Sequence, residues 1–206
     1  RIDWRTELND PVIRDFIGPE DFAELMRSKG INRDDTVVIY GDKSNWWAAF
    51  TFWVFELFGH PDVRLLNGGR DAWIAEGRDK SFAVPEYPRT TYAPSRAFSS
   101  DVLDHIGKGT ILDTRTPEEY VGNRTNFGSA SDSAIARGGH IPTAVNVSWD
   151  RSVPPNSRFR SRAELEEIYA GLDPHSPTVT YCRVGDRSAH TWFVLKYLLG
   201  FENVRN

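Results

Sequence analysis

The sequence predicts an α/β fold built from two copies of one unit, each a parallel sheet flanked by helices. Short β-branched and aromatic runs alternate with segments of helical periodicity, the pattern of strands that pair in parallel across helical crossovers. Residues 38–64, VIYGDKSNWWAAFTFWVFELFGHPDVR, lie over residues 179–205, VTYCRVGDRSAHTWFVLKYLLGFENVR, without a gap. Tyr40 meets Tyr181, Phe52 meets Phe193, Leu57 meets Leu198, Gly59 meets Gly200 and Val63 meets Val204. The register extends upstream, with a small length difference, from Ile2-Asp3-Trp4 to Val147-Ser148-Trp149. Such self-similarity marks a duplicated unit. Cys182, the only cysteine, falls opposite Gly41, so one copy carries a thiol and the other has none.

In order, the first copy begins with a strand end at residues 2–4 and a polar connection through Asn9-Asp10-Pro11. Pro19-Glu20-Asp21 makes the acidic first turn of a helix, with Phe22, Leu25 and Met26 at helical spacing and Gly30 as its stop. Residues 36–40 form a strand. Residues 44–58 form a helix so aromatic that most of its circumference must be buried. A strand at 63–66 leads through the turn Asn67-Gly68-Gly69 to a helix around 71–75. Residues 82–99 hold three prolines and little periodicity and read as a linker, which divides the chain into domains at 1–81 and 100–206. The second copy opens with a helix near 100–106, a strand at 110–113 and a helix started by Thr116-Pro117-Glu118. Residues 122–139 are long and polar for a connector and read as an insertion or a flap. A strand at 145–147, a capping box Ser161-Arg162-Ala163-Glu164, a strand at the start of 178–199 and a buried helix at its end complete the copy.

Composition excludes several function classes. A net charge of −4 opposes a general nucleic-acid or membrane-surface binder, since both rely on a cationic field. The most apolar run, residues 46–55, stops at Glu56, short of the roughly 20 residues that span a bilayer. A single cysteine rules out an internal disulfide and suits a reducing, cytoplasmic compartment. The chain opens at Arg1 with neither a signal pattern nor an initiator methionine, which suggests a fragment.

Chemistry concentrates at Cys182. It sits where a strand ends and a helix begins, beside the unpaired amides and positive dipole end that favour a thiolate. The loop that follows, Arg183, Val184, Gly185, Asp186, Arg187 and Ser188, adds two cations and a glycine, so a nucleophile ionised at neutral pH is expected, with the Asp186 carboxylate turned outward. Trp46 and Trp47 have two readings, as core or as the lining of a pocket where the copies meet. His190, a turn into the helix, reads as a structural histidine, because a thiolate formed by its surroundings needs no base.

These motifs resemble those of the two-domain rhodaneses, thiosulfate sulfurtransferases of the actinobacterial type. The resemblance rests on the CRVGDRS loop followed by HTWFVL, on Leu112-Asp113-Thr114-Arg115, on Gly139-His140-Ile141-Pro142 before Ala144-Val145-Asn146, and on Leu66-Asn67-Gly68-Gly69 in the other half. It runs nearly end to end. It implies two tandem rhodanese-like domains, the first inactive and lacking its N-terminal part, the second catalytic and lacking its C-terminal end. It implies that Cys182 forms a persulfide, that residues 183–188 surround it, and that Arg183 and Arg187 bind the sulfonate of the donor. Trp46 and Trp47 match the aromatic pair that the inactive domain contributes, and Asp113, Arg115 and His140 are expected to hold the loops around the site. Some animal relatives carry a further substrate-binding arginine four residues beyond the position of Arg115; here that position is Glu119, and the role does not transfer.

The implied reaction passes the sulfane sulfur of thiosulfate through Cys182 to cyanide or a thiol, with no metal or organic cofactor and with a protein as a possible acceptor. Three alternatives stay open. A 3-mercaptopyruvate sulfurtransferase is expected to have small residues after the cysteine, where this loop has Arg183. A cysteine phosphatase places its arginine at +6, where this chain has Ser188. A persulfide relay module that serves only a partner protein would carry the same loop.

Overall fold

The computed structural model describes residues 1–13, 15–79, 97–124 and 137–206. Most of the linker and of the 122–139 segment lies outside these residues. The chain forms two compact units: the described residues of Arg1–Arg96 with Pro155–Phe159, and Ala97–Pro154 with Arg160–Asn206.

In the first unit the elements are α1 (Trp4–Glu7), α2 (Pro19–Lys29), β1 (Val37–Ile39), α3 (Trp46–Leu57), β2 (Val63–Leu65) and α4 (Gly69–Ala75). The strand end expected at residues 2–4 is instead a helix start. Asp3 caps it, its carboxylate accepting the Arg5 amide at 3.0 Å while Glu7 accepts the Asp3 amide at 2.5 Å. Those capping bonds outweigh the extended preference of an isolated Ile-Asp-Trp. α2 opens on Pro19 and stops at Gly30, whose φ of +66° is the left-handed conformation glycine adopts without strain. β1 and β2 pair in parallel, Val37 opposite Val63. α3 buries Ala48 to Phe55 almost without interruption, and Phe22 of α2 stacks on Phe58 at 4.4 Å and meets Phe55 edge-on at 5.3 Å. The segment Pro155–Phe159, though late in the chain, packs with this unit: the Phe159 amide donates to Asn67, and Arg158 pairs with Glu76.

The second unit contains α5 (Ser99–His105), β3 (Thr110–Asp113), α6 (Pro117–Tyr120), β4 (Val145–Asn146), a 3₁₀ turn at Trp149–Ser152, α7 (Arg162–Ile168), β5 (Thr178–Tyr181), α8 (Asp186–Phe193) and β6 (Val204–Arg205). Trp149 opens a short helical turn just as Trp4 does, so the repeat register extends to these elements too. The sheet is parallel throughout in the order β4-β3-β5-β6, and β3 and β5 are buried over most of their length, as central parallel strands must be. α8 continues into a π-helical stretch, Val194–Leu199, and ends at Gly200. The capping box of α7 is in place: the Glu164 amide donates to Ser161 Oγ at 3.4 Å and Glu164 accepts the Ser161 amide at 2.9 Å. Ser161→Ala is therefore expected to cost about 1 kcal/mol in a denaturant titration, and a loss below a few tenths would mean that the cap contributes nothing.

Candidate active site

β5 delivers Cys182 to the carboxyl edge of the sheet, and the chain turns at once into α8. The turn depends on Gly185, whose φ of +94° lies in the left-handed region, and it brings the Gly185 amide back to Cys182 Sγ at 3.3 Å. Ser188 Oγ donates to the same sulfur at 3.5 Å. Around the half-buried Cys182, Arg183 is also half-buried, Val184 is exposed, and Asp186, Arg187 and Ser188 are buried. The loop therefore gathers donors around the thiol.

The charges are arranged differently from the expectation. Asp186 points inward, only 5% exposed, with Oδ1 at 3.1 Å from Cys182 Sγ and 2.8 Å from the Arg187 amide. A carboxylate at the first position of α8 satisfies the orphan amide beside it, which draws it into the loop rather than into solvent. Burial pushes the Cys182 thiol above its ordinary value and Asp186 pushes it further; Arg187 and Ser188 act in the opposite direction and do not overcome them. Burial and Asp186 together favour the protonated thiol over the thiolate.

Arg187 is also committed elsewhere. Its guanidinium makes a two-pronged pair with Glu119 at 2.7 and 3.0 Å, both side chains buried. Burial works to lower its basicity and the Glu119 contact more than offsets that, so it stays protonated. Burial would raise the Glu119 carboxyl, but Arg187 holds it below the ordinary carboxylate range. Arg187 thus anchors α8 to α6 from inside the protein.

Glu119 is the site residue that sequence reasoning passed over. Thr116 and Glu119 form a capping box, Glu119 Oε2 accepting the Thr116 amide at 3.2 Å, and that spacing was legible in the sequence. Its second task, facing Arg187 across 68 residues, was not.

Asp113, Arg115 and His140 form the neighbouring framework. Asp113, fully buried, accepts the Arg115 amide at 2.9 Å, Arg115 Nη2 at 2.5 Å and the Tyr181 hydroxyl at 2.6 Å. Tyr181 in turn accepts the Ile141 amide at 3.2 Å, and Arg115 donates to the Gly139 carbonyl at 2.8 Å. His140 is exposed; it stacks on Tyr120 at 3.7 Å and bonds its carbonyl through Nδ1 at 2.8 Å. The framework ties the 139–141 turn to β3, β5 and α6. Trp46 and Trp47 belong to the first unit, where Trp47 stacks on Trp4 at 3.5 Å and on Trp46 at 4.9 Å, both half-buried. His190 is fully buried and packs edge-on against Trp149 at 5.2 Å. Among the described residues no group of His, Cys, Asp and Glu side chains is placed to hold a metal ion, and no helix is long and apolar enough to cross a membrane.

A cysteine at the carboxyl end of a central parallel strand, ringed by amide and hydroxyl donors at the start of a helix, is the arrangement that thiol chemistry requires of an α/β domain. The rhodanese-like domain model matches residues 5–76 and 99–206, and the chain belongs to that family. It is 61% identical over its whole length to a thiosulfate sulfurtransferase of Corynebacterium glutamicum, covering 72% of that protein. It is 47% identical to the sulfur carrier protein TtuD of Thermus thermophilus, again over its whole length and 77% of the relative. A crystal structure of SseA from Escherichia coli, described as a 3-mercaptopyruvate sulfotransferase, superposes with a TM-score of 0.78 at 25% identity, over 96% of this chain and 74% of that one.

Proposed function

We propose that this chain is a thiosulfate sulfurtransferase in which Cys182 attacks the outer sulfur of thiosulfate. The S–S bond of the donor breaks, its electron pair leaves with sulfite, and Cys182 holds a persulfide until cyanide or a thiol removes the outer sulfur. The observation that carries this reading is the donor set on Cys182 Sγ, the Gly185 amide and the Ser188 hydroxyl, at the end of β5. Donors in that place stabilise negative charge on sulfur both before and after transfer. The high identity to a thiosulfate sulfurtransferase supports the choice of donor.

Arg183, Arg187 and the loop amides receive the sulfonate in this reading, with Arg187 positioned by Glu119, while Asp113, Arg115 and His140 keep the flanking turn in place. Trp46 and Trp47 remain proposed substrate-binding residues. No metal or organic cofactor is required, nucleic acid and membrane are not partners, and the reducing cytoplasm is the proposed compartment. The likeness to a sulfur carrier protein supports a second reading, in which the persulfide passes to a protein acceptor.

Intact-mass measurement after incubation with thiosulfate is expected to show one added sulfur atom, removed by cyanide, and none on Cys182→Ser. Equal labelling of the variant would sink the assignment. Faster labelling by 3-mercaptopyruvate than by thiosulfate would replace the donor.

A further inference from the structure

We propose that Cys182 and Asp186 hold a single proton between them, and that Asp186 is the base that takes it when the sulfur donor arrives. Three features of the loop carry this. The sulfur and Asp186 Oδ1 are 3.1 Å apart, a contact that requires a proton between them, since two anions at that distance in a buried site repel strongly. Asp186 is 5% exposed, so water cannot relieve that repulsion. Its inward direction is built into the loop as well. At the equivalent repeat position of the thiol-free copy, Asn45 also folds back, its Oδ1 accepting the Gly41 amide at 3.0 Å and its Nδ2 donating to the Leu66 carbonyl at 2.6 Å. One copy fills the slot with a neutral amide, and the copy with the thiol fills it with a proton acceptor.

The step balances. Cys182 S–H gives its proton to the Asp186 carboxylate, and the thiolate attacks the outer sulfur of thiosulfate. Sulfite departs with the electron pair, leaving a persulfide anion beside a neutral carboxylic acid that can donate a hydrogen bond to it. When cyanide takes the outer sulfur as thiocyanate, the proton returns to the thiolate. The pair carries one negative charge at every step of this cycle, so the dianionic donor does not meet two. Among the described residues, the Arg187 guanidinium of α8, held by Glu119 of α6, faces the pair, and Tyr181 of β5 turns its hydroxyl to Asp113; Arg183 is in the loop itself. Arg187 pairs with Glu119, and its charge also acts on Cys182 and Asp186.

This inference rests on the persulfide reading, and its test separates the two. Alkylation by iodoacetamide as a function of pH reports thiol ionisation without any sulfur donor. Asp186→Asn, which keeps the shape of the side chain, is expected to bring the thiol's ionisation down by at least about one pH unit, roughly a tenfold gain in thiolate at fixed pH. In turnover with thiosulfate, wild type is expected to lose kcat/KM on both sides of an optimum, because the pair is inactive with two protons and repels the donor with none. The alkaline loss is expected to vanish in Asp186→Asn and to persist in Asp186→Glu. A thiol that ionises at the same pH in wild type and Asp186→Asn overturns the shared proton. Wild type itself provides a measurement independent of variant folding: in infrared difference spectra, thiosulfate is expected to produce the band of a protonated carboxyl. Loading of sulfur on Cys182 without that band refutes Asp186 as the base. Failure to load any sulfur refutes the persulfide reading, and the alkylation profiles still decide the shared proton.

Discussion

Glu119→Gln is expected to destabilise the second unit by about 3 to 5 kcal/mol, the range for removing one partner from a buried ion pair. Glu119 and Arg187 are 1% and 10% exposed at their side chains and meet through two hydrogen bonds, so glutamine preserves the shape and one contact but removes the charge opposite a buried guanidinium. The cost arises from desolvation more than from the lost attraction. Replacing both partners by apolar residues of similar size is therefore expected to be less harmful than the single change, and a double-mutant cycle in denaturant measures the difference. A single-variant loss under about 1 kcal/mol would show that the pair is effectively solvated. The sign of the pH dependence follows from the depressed Glu119 carboxyl. Its contribution is fully present above the unfolded carboxyl value and is lost as pH falls through the folded one. Wild type is thus expected to lose this stabilisation on acidification below the ordinary carboxylate range, and Glu119→Gln to lose less over the same interval.

Asp113→Asn is the second large effect expected, about 3 kcal/mol or more, again because it strands a buried cation. Its local consequences differ from those at Glu119. Asp113 holds Arg115 and Tyr181, and these two hold the Gly139 carbonyl and the Ile141 amide, so the substitution releases the 139–141 turn. Hydrogen exchange at Ile141 is expected to accelerate while exchange in β5 stays slow; uniform acceleration across the sheet would mean the effect is global. Burial raises the Tyr181 hydroxyl above its ordinary value and the Asp113 carboxylate adds to it. Ultraviolet titration of Asp113→Asn is then expected to show one tyrosine ionising at lower pH than in wild type.

The ladder of elements was largely legible before the structure. Strands at 110–113 and 178–181, the proline start of α2 and its glycine stop, and the burial of α3 all follow from local periodicity and capping chemistry. Local reasoning failed at residues 2–4, where two capping bonds turned an extended pattern into a helix. It failed more consequentially at the loop, where Asp186 was expected to turn outward and instead meets the Cys182 sulfur and the Arg187 amide.

The sequence by itself determined that a duplicated α/β unit brings one thiol to the end of a parallel strand, because side-chain periodicity and turn chemistry act over a few residues. Only the tertiary structure decided the charge at that thiol. Coulombic and desolvation energies depend on distances in space, and there Glu119, 68 residues away, takes Arg187 while Asp186 meets the sulfur.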